Sequence, residues 1–153
     1  KRGVSLWVRK KIQTVSRQTK LAGEMRRISV VAGIIRKDDN TVLIANRRGE
    51  KTLTDCWEFP GGKLETGESS KYALQRELHE ELGIHVLSAE YICHIQHDYP
   101  ELNVGIDFFL VTDWHGSPTG REGQQIKWVE RSTLDQQSLL PANAPVIEML
   151  RQM

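Results

Sequence analysis

Between Gly62 and Ile84 the chain reads GKLETGESSKYALQRELHEELGI, and no other stretch restricts the fold so tightly. On a helix of about 3.6 residues per turn, Leu74, Leu78 and Leu82 form one seam. Glu77, Glu80 and Glu81, spaced by three and four, project together beside it, next to Arg76. The leucine seam packs inward and the acidic face borders it. Ser69 or Ser70 can cap the start, and Gly83 can take the left-handed conformation that ends the helix. Upstream, Pro60, Gly61 and Gly62 let backbone groups approach a ligand closely, and a carbonyl there can complete a hard-cation site.

Glu68, Glu77, Glu80 and Glu81 repel one another, and like charges at helical spacing cost a few tenths of a kcal/mol per pair, roughly. Two readings are open on spacing alone: a solvated acidic face on a surface helix, or carboxylates gathered around a divalent cation. The stretch also fits the Nudix signature at nine defined positions over 23 residues: Gly62, Glu68, Arg76, Glu77, Leu78, Glu80, Glu81, Gly83 and Ile84. A pattern of that length is far more specific than a lone glycine motif, and it favours the cation site.

A chain of 153 residues suits a single domain with one core. Its formal charge of +1 conceals an asymmetry. Residues 1–24 hold seven Lys or Arg and one acid, or +6, leaving 14 bases and 19 acids, or −5, for residues 25–153. An acidic domain is a poor nucleic-acid binder, whereas it suits recruitment of a divalent cation together with an anionic substrate. Cys56 and Cys93 lack metal-ligand spacing and read as reduced thiols of a cytoplasmic protein, and no run reaches transmembrane length. The basic segment 1–24 reads as a leader or appended extension without a part in catalysis. A basic amphipathic helix touching a membrane or acidic partner, or a transit-like segment, is the competing reading.

Ile28–Arg36 reads as a buried strand, Asp38–Asn40 as a turn and Thr41–Arg47 as a second strand. A short segment, Cys56–Phe59, leads into the acidic stretch. Val86–His97 and Val104–Trp114 are longer strands joined by a turn at residues 98–101, followed by a strand at Ile126–Glu130 and a terminal helix opened by Asn143 and Pro145. This order predicts an α+β fold, an α/β/α sandwich with a central mixed sheet flanked by helices.

The resemblance to the Nudix family extends from MRRISVVAGIIR through EFPGGKLETGE and GREGQ to LPANAPVIEMLR, covering residues 25–153, and lies nearest its MutT-like branch of 8-oxo-dGTP diphosphatases. It implies hydrolysis of 8-oxo-dGTP to 8-oxo-dGMP and pyrophosphate with Mg²⁺, Mn²⁺ substituting. It implies metal ligation by the Gly61 carbonyl with Glu77, Glu80, Glu81 and Glu122, and catalysis by Glu77 with Arg76 orienting the acids. It implies substrate binding by Arg48, Glu58, Phe59, Lys63 and Asn143, the last on the oxidised guanine edge. The alternative reading of Asn143 is a simple helix cap. Rival activities are a Nudix pyrophosphatase for CTP or 5-methyl-dCTP, and a non-catalytic module that binds oxidised guanine. A monomer is expected, with a nucleoside triphosphate as its partner and no membrane or stable nucleic-acid binding.

Overall fold

Strand β1, Arg26–Lys37, is apolar in a continuous run from Val30 to Ile35 because both faces are covered there. Val30, Ala32 and Ile34 enter one core layer, and Val31 and Ile35 enter the other. The computed structural model describes residues 26–38, 40–47, 57–100, 102–139 and 143–153. Residues 1–24 and Arg48 lie outside the described residues, so neither the N-terminal extension nor the Arg48 expectation is addressed by it.

Around β1 the sheet is mixed. Strand β5, Leu102–His115, runs parallel to it from Arg26↔Leu102 to Ile35↔Val111, and β4, His85–Tyr99, lies antiparallel on β5. Strand β2, Thr41–Arg47, meets β1 antiparallel at Arg36↔Val42 and Lys37↔Thr41, then pairs along its length with β6, Gln124–Glu130. The order is β4-β5-β1-β2-β6. Strand β3, Gly61–Lys63, fills the edge of β1 at Val30–Ala32.

Helix α1, Ser70–Leu82, covers one face, burying Ala73, Leu74, Leu78 and Leu82. It approaches β1 at Gly33, where an added Cβ would stand 3.0 Å from Leu78 Cδ1 and 3.2 Å from Leu74 Cδ1. Its start is tied to β5 by the Ser70 hydroxyl, which donates to Asp107, and Asp107 also lies 2.7 Å from His94 Nδ1. On the opposite face, Val146 and Leu150 of helix α2, Ala144–Gln152, and Leu134 of the 3₁₀ turn Arg131–Gln136 close the second core layer. The expected sandwich is present.

Three differences from the sequence reading have physical causes. Gly61–Lys63, expected only as glycine-rich backbone open to a ligand, forms a strand, since β2 pairs only with the last two residues of β1 and leaves its earlier edge open. In the short segment before it, the described residues Trp57 and Glu58 form isolated bridges, Ala45↔Glu58 and Trp57↔Leu139, and no strand of their own. Strand β4 continues through Asp98 and Tyr99, expected in the turn, because β5 begins at Leu102 and supplies their partners.

Candidate active site

The geometry of the acidic face follows from how α1 begins and ends. The Tyr72 amide donates to Ser69 Oγ at 3.2 Å, and Gly83, at φ 74°, returns its N–H to the His79 carbonyl at 2.9 Å. With both ends fixed and the leucine seam against β1, Arg76, Glu77 and Glu80 emerge beside β3. They border an open cleft of about 430 Å³ that Lys63, Leu64, Glu65 and Thr66 complete.

Arg76 is the hub of this cleft. Its Nε donates to Glu68 Oε2 at 2.6 Å and its Nη2 to Glu68 Oε1 at 2.8 Å, a bidentate pair. Nη2 also donates to the Lys63 carbonyl at 3.0 Å, while Nη1 reaches Glu77 Oε1 at 3.0 Å and Glu80 Oε2 at 3.4 Å. The Glu65 amide donates to Glu68 Oε1 at 2.9 Å, so Glu68 holds the loop leading into the helix. Those bonds, the Arg76 guanidinium first, lower the Glu68 carboxyl to about 2. The same pairing raises Arg76 above its ordinary range.

Glu77 is placed by the absence of a side chain at Gly62. A Cβ built there would fall 2.2 Å from Glu77 Cδ and 2.3 Å from its Oε2, so the carboxylate occupies the space that any other residue would fill. Gly61 is needed for a different contact, since its Cβ would stand 1.9 Å from the Val31 carbonyl oxygen.

The loop bearing Glu122 docks on the last turn of α1. Arg121 and Thr119 donate their amides to the carbonyls of Glu81 and Leu82, each at 3.0 Å. The Arg121 guanidinium donates to the His79 carbonyl at 3.0 Å and the Gln124 amide to that of Glu81 at 3.1 Å. Arg121 thus supplies a cation where the helix dipole is negative. The docking role of Arg121 and Gln124 escaped the sequence reading; the only trace of it was a basic residue next to Glu122.

Glu68, Glu77 and Glu80 are therefore brought together through Arg76, and Glu122 is carried to the end of the same helix. Among the described residues no three His, Cys, Asp or Glu side chains converge on one metal-sized point. The donors still suit a hard divalent cation, being carboxylate and carbonyl oxygens, with the glycine cradle setting Glu77 beside β3.

Two expected substrate contacts, Phe59 and Asn143, lie on or near the other face. Phe59 is buried in the layer under α2, edge-on to Phe108 with centroids 6.3 Å apart. Asn143 immediately precedes α2 and is 5% exposed, yet makes no side-chain capping bond, so its amide does not act as the simple cap. Glu58, partly buried, exchanges backbone bonds with Ala45 at 2.8 and 2.9 Å. Lys63 lines the cleft on the acidic side.

Comparison with known proteins agrees with this architecture. The profile of the NUDIX domain matches residues 31–149. An 8-oxo-dGTP diphosphatase of Haemophilus influenzae is 43% identical over 80% of this chain and 90% of its own length. A CTP pyrophosphohydrolase of Escherichia coli is 37% identical over 81% of this chain and 91% of its own. A solved MutT structure, from work on Aliivibrio salmonicida and Vibrio cholerae, superposes with a TM-score of 0.72 at 42% identity, covering 82% of this chain and 98% of that one. The chain belongs to the NUDIX domain family, whose hydrolases work with a divalent metal.

Proposed function

We propose that the protein hydrolyses 8-oxo-dGTP to 8-oxo-dGMP and pyrophosphate, clearing an oxidised precursor from the nucleotide pool. The observation that carries the reaction type is the Glu77 carboxylate seated over Gly62 and bonded by Arg76 at 3.0 Å. The similarity to relatives named 8-oxo-dGTP diphosphatase supports the substrate, as does a buried Asn143 amide not spent on capping.

Glu77, Glu80 and Glu81, with the Gly61 carbonyl and Glu122, would hold Mg²⁺, for which Mn²⁺ substitutes. Bound there, the cation neutralises phosphate oxygens and lowers the barrier to attack by water. The chain's own part is positional. Glu77 orients the attacking water and accepts its proton. Arg76 keeps that carboxylate in one place while Glu68 balances the guanidinium charge. Lys63 borders the cleft where the triphosphate would lie, and Arg48 would contact phosphate. On the far face Asn143, with both a donor and an acceptor, reads the oxidised guanine edge, and Phe59 backs the base. The enzyme is expected to act as a cytoplasmic monomer without stable nucleic-acid binding, and residues 1–24 are dispensable for turnover. No helix among the described residues is long and apolar enough to cross a membrane.

The CTP pyrophosphohydrolase relative sustains the second reading, a pyrophosphatase for cytidine nucleotides. Steady-state kinetics on 8-oxo-dGTP, dGTP and CTP with Mg²⁺ decide between them. The highest kcat/KM should fall to 8-oxo-dGTP; a preference for CTP overturns the substrate, and no turnover of any of them overturns the enzyme.

A further inference from the structure

Among the described residues two polar side chains are buried, and both are asparagines: Asn143 at 5% exposure and Asn46 at 4%. Asn46 lies on the sheet face that α2 covers, and Asn143 is the residue that opens α2. Asn46 alternates along β2 with Val42 and Ile44, which belong to the layer containing Val146 and Leu150 of α2, the helix that Asn143 precedes. The β2–β6 register sets Gln125 beside Asn46 and Lys127 beside Ile44. On the other side, the antiparallel bridge Ala45↔Glu58 sets Trp57 next to Asn46 and Phe59 next to Ile44. Trp57 is pinned from both sides, with its amide donating to the Ser138 carbonyl at 2.9 Å and Lys127 Nζ lying 4.1 Å from its ring centroid. One end of this apolar face therefore carries a flat aromatic surface, a cation and two carboxamides, Asn46 and Gln125, in the layer that α2 closes.

We propose that Asn46 is a second base-reading residue, acting with Asn143 and with Trp57 as its aromatic wall. This rests on the nucleotide-hydrolase reading above and extends it to a residue outside the acidic stretch. A carboxamide has two donor hydrogens and an oxygen with two lone pairs, so one protein partner and one edge of a base can be served together. A purine that carries polar groups on two edges can be held between two amides, one on the sheet face and one opening the helix that covers it. A base lacking the matching groups leaves them poorly paired, which disfavours it.

The test compares wild-type protein, Asn46→Ala and Asn46→Ser in kcat and KM for 8-oxo-dGTP, dGTP and CTP with Mg²⁺. Asn46→Ala should raise KM for the preferred nucleotide about 5- to 100-fold with kcat within a few-fold, and shrink its kcat/KM advantage over the other two by at least about 5-fold. Asn46→Ser, which keeps a hydroxyl, should lie between. The ratio between nucleotides cancels any loss of folded protein, so it separates base reading from an amide that merely finishes β2. A parallel fall on all three nucleotides, or an unchanged ratio, overturns the proposal. The wild-type panel judges the substrate separately: a wild-type preference for CTP rejects 8-oxo-dGTP, while the effect of Asn46→Ala on that preference still decides the role of Asn46.

Discussion

One methyl group added at Gly62 lands 2.2 Å from Glu77 Cδ and 2.3 Å from Oε2, against the roughly 3.5 Å at which carbon atoms rest. In Gly62→Ala the carboxylate must withdraw by more than about 1 Å. It sits at the end of a flexible side chain, so the backbone need not follow. The withdrawal strains the 3.0 Å contact between Arg76, 19% exposed, and Glu77, 13% exposed, while Arg76 keeps its bidentate pair with Glu68, so the loss stays near that of one charged hydrogen bond, about 1.5 kcal/mol. Replacing glycine also restricts the unfolded chain and returns up to about 1 kcal/mol, since Gly62 is not among the positive-φ residues. The melting temperature should therefore stay within about 4 °C of wild type. A reacting carboxylate misplaced by 1 Å, however, lowers kcat by about 100-fold. Gly61→Ala makes the contrast. Its methyl meets the Val31 carbonyl oxygen at 1.9 Å and Ala32 Cα at 2.8 Å, both backbone atoms of the paired strand, and neither can yield without opening the β1–β3 pairing. Overpacking there costs about 1–3 kcal/mol, or a melting temperature lower by about 3 to 10 °C. Thermal unfolding and steady-state kinetics on both variants test the pair. Near-normal kcat in folded Gly62→Ala, or unfolding of Gly62→Ala with Gly61→Ala unaffected, would refute the cradle.

Glu77→Gln keeps the shape of the side chain and removes the base, so kcat should fall by orders of magnitude while nucleotide affinity, measured calorimetrically, changes little; near-normal turnover would contradict the proposed role. The Glu68 carboxyl is held at about 2, below its ordinary 4.5, so the unfolded chain takes up a proton there first as pH falls. Its contribution is therefore complete above about pH 4.5 and lost on descent toward pH 2. Thermal midpoints of wild type and Glu68→Gln should differ most above that window and converge through it. Leu78→Ala removes a fully buried side chain from the seam against Gly33 and should cost about 2–5 kcal/mol in denaturant unfolding, with activity lost only in proportion to unfolded protein.

What the sequence made visible is what depends on neighbours along the chain. The limits of α1 follow from Ser69 and Gly83, within a turn of the residues they satisfy, and β1 shows itself because two covered faces require an unbroken apolar run. The proximity of Arg76 to Glu77 and Glu80 was legible for the same reason, these acids being one and four residues away. Strand β3 was not legible. Its glycines carry no strand pattern, and they pair only because β1 presents an open edge that their lack of side chains lets them reach. The 3₁₀ turn at Arg131–Gln136 and the docking of Arg121 on the carbonyl of His79, 42 positions earlier, likewise depend on contacts that arise only after the sheet has formed.

The same distinction separates reaction from specificity. Carboxylates that act on one cation can be collected on one helix by spacings of three and four, so the hydrolytic machinery is compact in sequence. A base must be met from several sides, and the residues on the α2 side that could meet it come from separate segments: Asn46, Trp57 and Lys127 are aligned by strand register, and Asn143 opens α2. Similarity averaged over the chain is insensitive to such positions: a relative named for CTP matches at 37% identity alongside one named for 8-oxo-dGTP at 43%. Substitutions on α1 should therefore depress turnover of every nucleotide together, whereas substitutions on the α2-facing side should change the ranking among them. The ranking, measured after changing Asn46 or Asn143, is where this protein's specificity can be located.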